Sequence, residues 1–205
     1  MFLIGLLSIS VGFTSCKDDE DENSPHSHPA STISHDESIM MTIMHEMSAR
    51  MDTMTMTHDA DNDFAMMMIE HHMGAINMAN EVIANGDDAH IKDMATTMKN
   101  AQMAEIQELQ SFLQANSPAS MDMEAMTEYM ESMQKMDTSA DQAILIGDVD
   151  HDFASLMIPH HQSAIDMAKT ELQYGHSAEL KTMAQKMIDD QQEEIAMLQE
   201  WLKTN

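Results

Sequence analysis

A stretch of 53 residues beginning at Asp61 recurs without a gap 89 residues later, beginning at Asp150, and 24 of its 53 positions are identical. The first copy runs Asp61-Asn62-Asp63-Phe64 through Met68, His71-His72, Ala75-Ile76 and Met78-Ala79. The second runs Asp150-His151-Asp152-Phe153 through Met157, His160-His161, Ala164-Ile165 and Met167-Ala168. A match of that length is a duplication, so one copy's architecture must serve for both.

Both copies carry a helical period. At about 100° per residue, with Phe64 at zero, Met67, Met68, Ala75, Met78, Ala79 and Val82 all fall within about 60° of Phe64, while Glu70, Asn77 and Glu81 gather opposite. Ahead of the first copy, Met40, Met44, Met47, Met51 and Met54 repeat at 4-3-4-3, which predicts a methionine-striped helix from Glu37 to about Met56. Met123, Met126, Met130 and Met133 predict its counterpart ahead of the second copy. Partner helices follow each copy, from about Ala89 to Gln114 and from Ala178 to Lys203, with Ile91, Met94, Met98, Ala101, Leu109 and Phe112 on the apolar face of the first. Asp61 or Asp63, and Asp150 or Asp152, are placed to cap the paired-histidine helices. Gly86 and Gly175 fit helix stops, and Pro159 should kink the second copy just before its histidines. The fold class is therefore all-α. Two repeats, 37–117 and 118–205, each consist of a Met-rich lead-in helix and a helical hairpin, and the four long helices form a bundle.

The histidines are the candidate chemistry. His71 falls near 340°, inside the apolar arc, and His72 near 80°, at its edge; His160 and His161 repeat both placements. Met68 and Met157 lie about one turn before these pairs, and Met78 and Met167 about two turns after. A single inward histidine is usually a core group with one hydrogen bond. An adjacent pair repeated in register beside thioethers points instead to a soft-metal site, since imidazole and thioether donors suit copper, Cu(I) above all. Glu105 and Glu194 fall on the inner faces of the partner helices, where a carboxylate is costly unless paired. The natural partners are the histidines or a metal held by them, and Gln102 and Gln191, one turn earlier, are weaker candidates.

A net charge of −27, with nine Lys and Arg, argues against nucleic acid and anionic membrane surfaces and suits a protein that attracts cations. Methionine is the abnormal residue, 27 of 205; with few aromatics it must fill much of the core. Residues 1–15 are uncharged and largely apolar, too short to span a bilayer, and read as a secretory signal. The only cysteine, Cys16, follows at once, and Phe13-Thr14-Ser15-Cys16 resembles a lipobox, which implies a lipidated bacterial envelope protein. Lys17-Asp18-Asp19-Glu20 resembles the acidic export signal of Bacteroidetes surface lipoproteins, implying an outer-membrane location. Residues 17–36 then read as an acidic tether that includes His26, His28 and His35.

Asp-x-Asp-Phe, then Met157-Ile158-Pro159-His160-His161-Gln162-x-Ala-Ile-Asp-Met-Ala, then Gly175, then Gln191-x-x-Glu194-Ile195-x-x-Leu198-x-x-Trp201-Leu202, resembles the bacterial domain-of-unknown-function family 305. The resemblance covers 37–205 and implies a ferritin-like helical bundle with a link to copper. The first copy departs from the motif at Glu70, Met73 and Gly74. The residues lead to an exported protein that binds Cu(I), or Cu(II) or Ag(I), through His71, His72, His160, His161 and the four neighbouring methionines, for sequestration or transfer and not as an enzyme. A di-iron centre needs helical Glu-x-x-His, and the chain has none. A metal-free scaffold lipoprotein, its histidines satisfied in the core, stays open, as does bundle closure within one chain or through a homodimer.

Overall fold

The computed structural model describes residues 35–205. The signal segment, Cys16 and the tether histidines His26 and His28 lie outside them. After one 3-10 turn (His35–Glu37) come six helices: α1 (Ile39–Asp52), α2 (Ala60–Asn85), α3 (Ala89–Ala115), α4 (Met123–Asp141), α5 (Val149–Tyr174) and α6 (Ala178–Thr204). Among the described residues there is no strand. α2 packs on α3 and α5 on α6, each pair a hairpin with a three-residue connection. The hairpins meet through α2 and α5 within one chain, and α1 and α4 lie against that central pair. α3 and α6 scarcely approach each other, and this leaves a groove over α2 and α5.

The paired-histidine helices begin two residues earlier than caps at Asp61 and Asp150 would have them, and four earlier than caps at Asp63 and Asp152. Their N-caps are Asp59, which accepts from Asn62 N at 3.0 Å, and Asp148, which accepts from His151 N at 2.9 Å. The first-turn aspartates are thereby freed for longer reaches. Asp61 Oδ1 accepts from His176 N and Ser177 N at 3.0 and 2.9 Å, at the start of α6. Asp150 Oδ2 accepts from Asp87 N and Asp88 N at 2.7 and 3.0 Å, at the start of α3. Each repeat thus ties down the other's hairpin turn through charge-assisted hydrogen bonds. Asp63 and Asp152 turn back instead, to Thr57 and His58 and to Ile146.

Gly86 and Gly175 stand at the helix ends as expected but in extended, not left-handed, backbone. Glycine is favoured there by crowding: a Cβ would lie 2.7 Å from Val82 O at Gly86 and 2.6 Å from Glu171 O at Gly175, both backbone atoms. α5 runs unbroken through Pro159. In the first copy Glu70 at that position pairs with Arg50 at 3.1 Å.

The lead-in helices differ from each other. In α1, Met40, Met44, Met47 and Met51 are buried as the stripe predicts, joined by Met41, while the helix stops at Asp52 and leaves Met54 beyond it. In α4 only Met133 of the expected stripe is buried. Met123 and Met130 are exposed because the helix turns Ala125, Tyr129, Met133 and Met136 inward. Tyr129 decides the rotation: its ring packs near Phe64, with centroids 6.3 Å apart, and its hydroxyl reaches Ala60 O and Glu171. Methionine, able to fill irregular gaps, supplies much of the core around these helices.

Candidate metal centre

His71 and His160 lie where α2 crosses α5, fully buried, with ring centroids 3.7 Å apart and planes at 37°. His72 and His161 flank them at 6.3 and 6.1 Å, so the four imidazoles form a row, 72–71–160–161, through the middle of the molecule. All four are 0 % exposed.

The hydrogen bonds decide which nitrogen carries the proton. Ser163 Oγ donates to His160 O at 2.9 Å, so its oxygen must accept from His71 Nε2–H at 2.6 Å. His160 Nε2–H donates to His71 O at 3.1 Å. On the groove side, His72 Nε2–H donates to Glu105 Oε2 at 2.9 Å. His161 Nε2 lies 2.8 Å from Glu194 Oε2, with its N–H directed off the line to that oxygen. In a neutral ring with Nε2 protonated, Nδ1 carries the lone pair, and the Nδ1 atoms of all four histidines are buried without a partner. Burial holds His71 and His160 well below the ordinary imidazole value, and neighbouring rings press the same way, His160 first on His71 and His161 first on His160. The inner rings are therefore neutral at physiological pH.

Buried methionines lie on the same helices as the row. Met68, Met78, Met157 and Met167 are at most 1 % exposed and belong to the same core cluster, on the same helices as the histidines. Met47 of α1 presses its Sδ onto Gly74, one turn after His71, where a Cβ would overlap it. Among the described residues no three His, Cys, Asp or Glu side chains gather as a metal site. The available donor set is thus imidazole nitrogen and thioether, the combination suited to soft ions, and not a nest of hard oxygen ligands.

The groove between α3 and α6 encloses about 450 Å³ and is lined by Gln102, Glu105, Gln191, Glu194, Met98 and Met197, among others. Glu105 is buried, whereas Glu194 is half-buried and Ala101, expected in the core, is exposed on the rim. Gln102 and Gln191 are buried, each with an unpartnered Oε1. Each carboxylate therefore touches the groove on one side and a buried imidazole on the other. Ser163, which orients His71, escaped the sequence reading. Its only signal is the mismatch with Gly74 at the equivalent position of the first repeat.

The sequence matches the family described as a domain of unknown function (DUF305) twice, over residues 14–113 and 114–202. The chain belongs to that family. Three solved structures resemble this DUF305 chain. The crystal structure of a DUF305 protein from Streptomyces coelicolor is 24 % identical, with a TM-score of 0.57 over 72 % of this chain and 94 % of that one. CopM in its Cu(II)-bound form is 28 % identical, with a TM-score of 0.55 over 70 % of this chain and 95 % of that one. CopM in an Ag-bound form obtained by soaking is 26 % identical, with a TM-score of 0.54 over 73 % and 97 %. No curated protein matches the sequence. Among the described residues no helix is long and apolar enough to cross a membrane.

Proposed function

We propose that this DUF305 protein is an exported, lipid-anchored copper-binding protein that holds Cu(I), and Ag(I) or Cu(II) less selectively, for sequestration or hand-over. The observation that carries the reading is the row of four buried imidazoles whose Nδ1 atoms have no partner, set in a core of thioethers. The ion is cargo. Nδ1 of His71, His72, His160 and His161 would supply nitrogen, and Met68, Met78, Met157 and Met167 sulfur. A neutral imidazole need lose no proton to bind, so the inner rings are ready near pH 7. Glu105 and Glu194 act as outer partners that fix ring orientation, as carboxylates behind metal-bound histidines do. A charge of −27 favours cation capture. That CopM was crystallised with Cu(II) and with silver supports the same chemistry here. The proposed role is binding without turnover, and Cys16 would hold the molecule at the outer membrane.

A second reading has its own support. One nitrogen of each inner imidazole is satisfied by protein, His71 by Ser163 and His160 by a carbonyl, as a metal-free scaffold requires. A Cu(I) competition titration against a chromogenic chelator, under reducing conditions, separates the two. The expected result is tight binding that disappears when the four histidines become alanine while circular dichroism still shows helix. Equal, weak binding by both proteins would leave the scaffold reading.

A further inference from the structure

The two halves of the row are chemically unequal, and the inequality lies outside the imidazoles. Lys186 of α6 reaches across the groove, and its Nζ lies 3.7 Å from Glu105 Oε1. The same ammonium is held by Asp190 of its own helix. Moved back by the 89-residue repeat, Lys186 becomes Thr97 and Asp190 becomes Ala101. Glu194 therefore has no ammonium beside it: among the described residues its one ion-pair partner is His161. One further difference points the same way. The Glu194 side chain is 19 % exposed against 11 % for Glu105.

We propose that Lys186 is a specificity-determining residue that makes the two centres load in order, His161–Glu194 first and His72–Glu105 second. The inference rests on the copper reading and adds to it a rank between the sites. A cation approaching through the groove meets an unscreened carboxylate at Glu194. At Glu105 it meets a carboxylate with an ammonium beside it, which repels the cation although Asp190 shares its charge. Lys186 is largely exposed, 64 % for its side chain, so its replacement leaves the core intact.

The test is a stepwise titration of the purified protein with Ag(I), a diamagnetic stand-in for Cu(I), followed through assigned histidine ring signals in NMR. In the wild type the His161 signals should move first. The affinities should differ by about tenfold, within what one unit charge a few ångströms away contributes at a protein surface. Lys186→Thr with Asp190→Ala, which removes the ammonium together with its counter-ion, should bring the two steps together. Carrying the pair to the other repeat as well, Thr97→Lys and Ala101→Asp with Lys186→Thr and Asp190→Ala, should reverse the order, with helicity unchanged in both variants. Simultaneous loading in the wild type, or an order that survives the exchange, would overturn the inference and leave copper binding standing. If no histidine of any variant responds, the copper reading itself falls, and the ranking with it.

Discussion

Glu171 offers the sharpest thermodynamic prediction. It sits in α5 at 0 % exposure, with Tyr129 OH 3.4 Å from Oε2 and Oε1 buried without a partner. Burial, and after it the facing Asp61, push its carboxyl up to about 9, although Lys181 pulls slightly the other way. An unfolded chain releases this proton near the ordinary value of 4.5, while the folded chain keeps it until about 9. The contribution to stability is therefore fully present below about pH 4.5 and lost as pH rises toward 9, at about 1.4 kcal/mol per pH unit. Between about pH 5 and pH 8 the loss is about 4 kcal/mol. Glu171→Gln keeps the size and stays neutral, so it should lack this dependence. Urea denaturation of both proteins at about pH 5, 6.5 and 8 gives the comparison. The stability difference should grow with pH, in favour of the glutamine variant, by about 4 kcal/mol across that range. Parallel curves would refute the argument, because the buried carboxyl would then be no more protonated in the fold than outside it. The first repeat shows the fold does not need the acid: Val82 occupies the equivalent position, fully buried.

Two further outcomes follow from the same physics. Asp150→Asn weakens two charge-assisted bonds to the start of α3 and should cost about 1–3 kcal/mol by urea denaturation, whereas an unchanged midpoint would mean the latch between repeats is idle. His71 and His160 have lowered values, so the unfolded chain takes up protons below about pH 6.5 that the fold refuses, and stability is lost as pH falls. Measured in the Glu171→Gln background, where the opposing carboxyl is gone, the apoprotein should lose up to about 3 kcal/mol per pH unit below pH 6, and about half that slope should remain in His160→Asn.

Most of the fold was legible because a duplication reports itself twice. The paired-histidine helices, their partners and the inward turn of His71, His72 and Glu105 all follow from period and register. What was hidden depends on contacts between elements distant in the chain. Asp61 and Asp150 look like caps until Asp59 and Asp148 are seen to cap two residues earlier, which sends the later pair across to the opposite repeat. The α4 methionines have the spacing of a buried stripe, yet Tyr129 buries more area and has a polar end to satisfy, so the helix turns. Gly74 against Ser163, and Thr97 against Lys186, were visible only as mismatches, and nothing in the sequence says that one mismatch orients an imidazole and another sets an ammonium beside a carboxylate.

The buried imidazoles are held to offer Nδ1 to a soft ion while Nε2 keeps its proton. Long-range ¹H–¹⁵N correlation NMR of protein labelled at histidine reports on both nitrogens, before and after Ag(I) is added. The account predicts the Nε2–H tautomer for the buried histidines in the apoprotein and, with silver, a shift confined to their Nδ1 resonances. Nδ1–H tautomers at rest, or silver-induced shifts at Nε2, would contradict it.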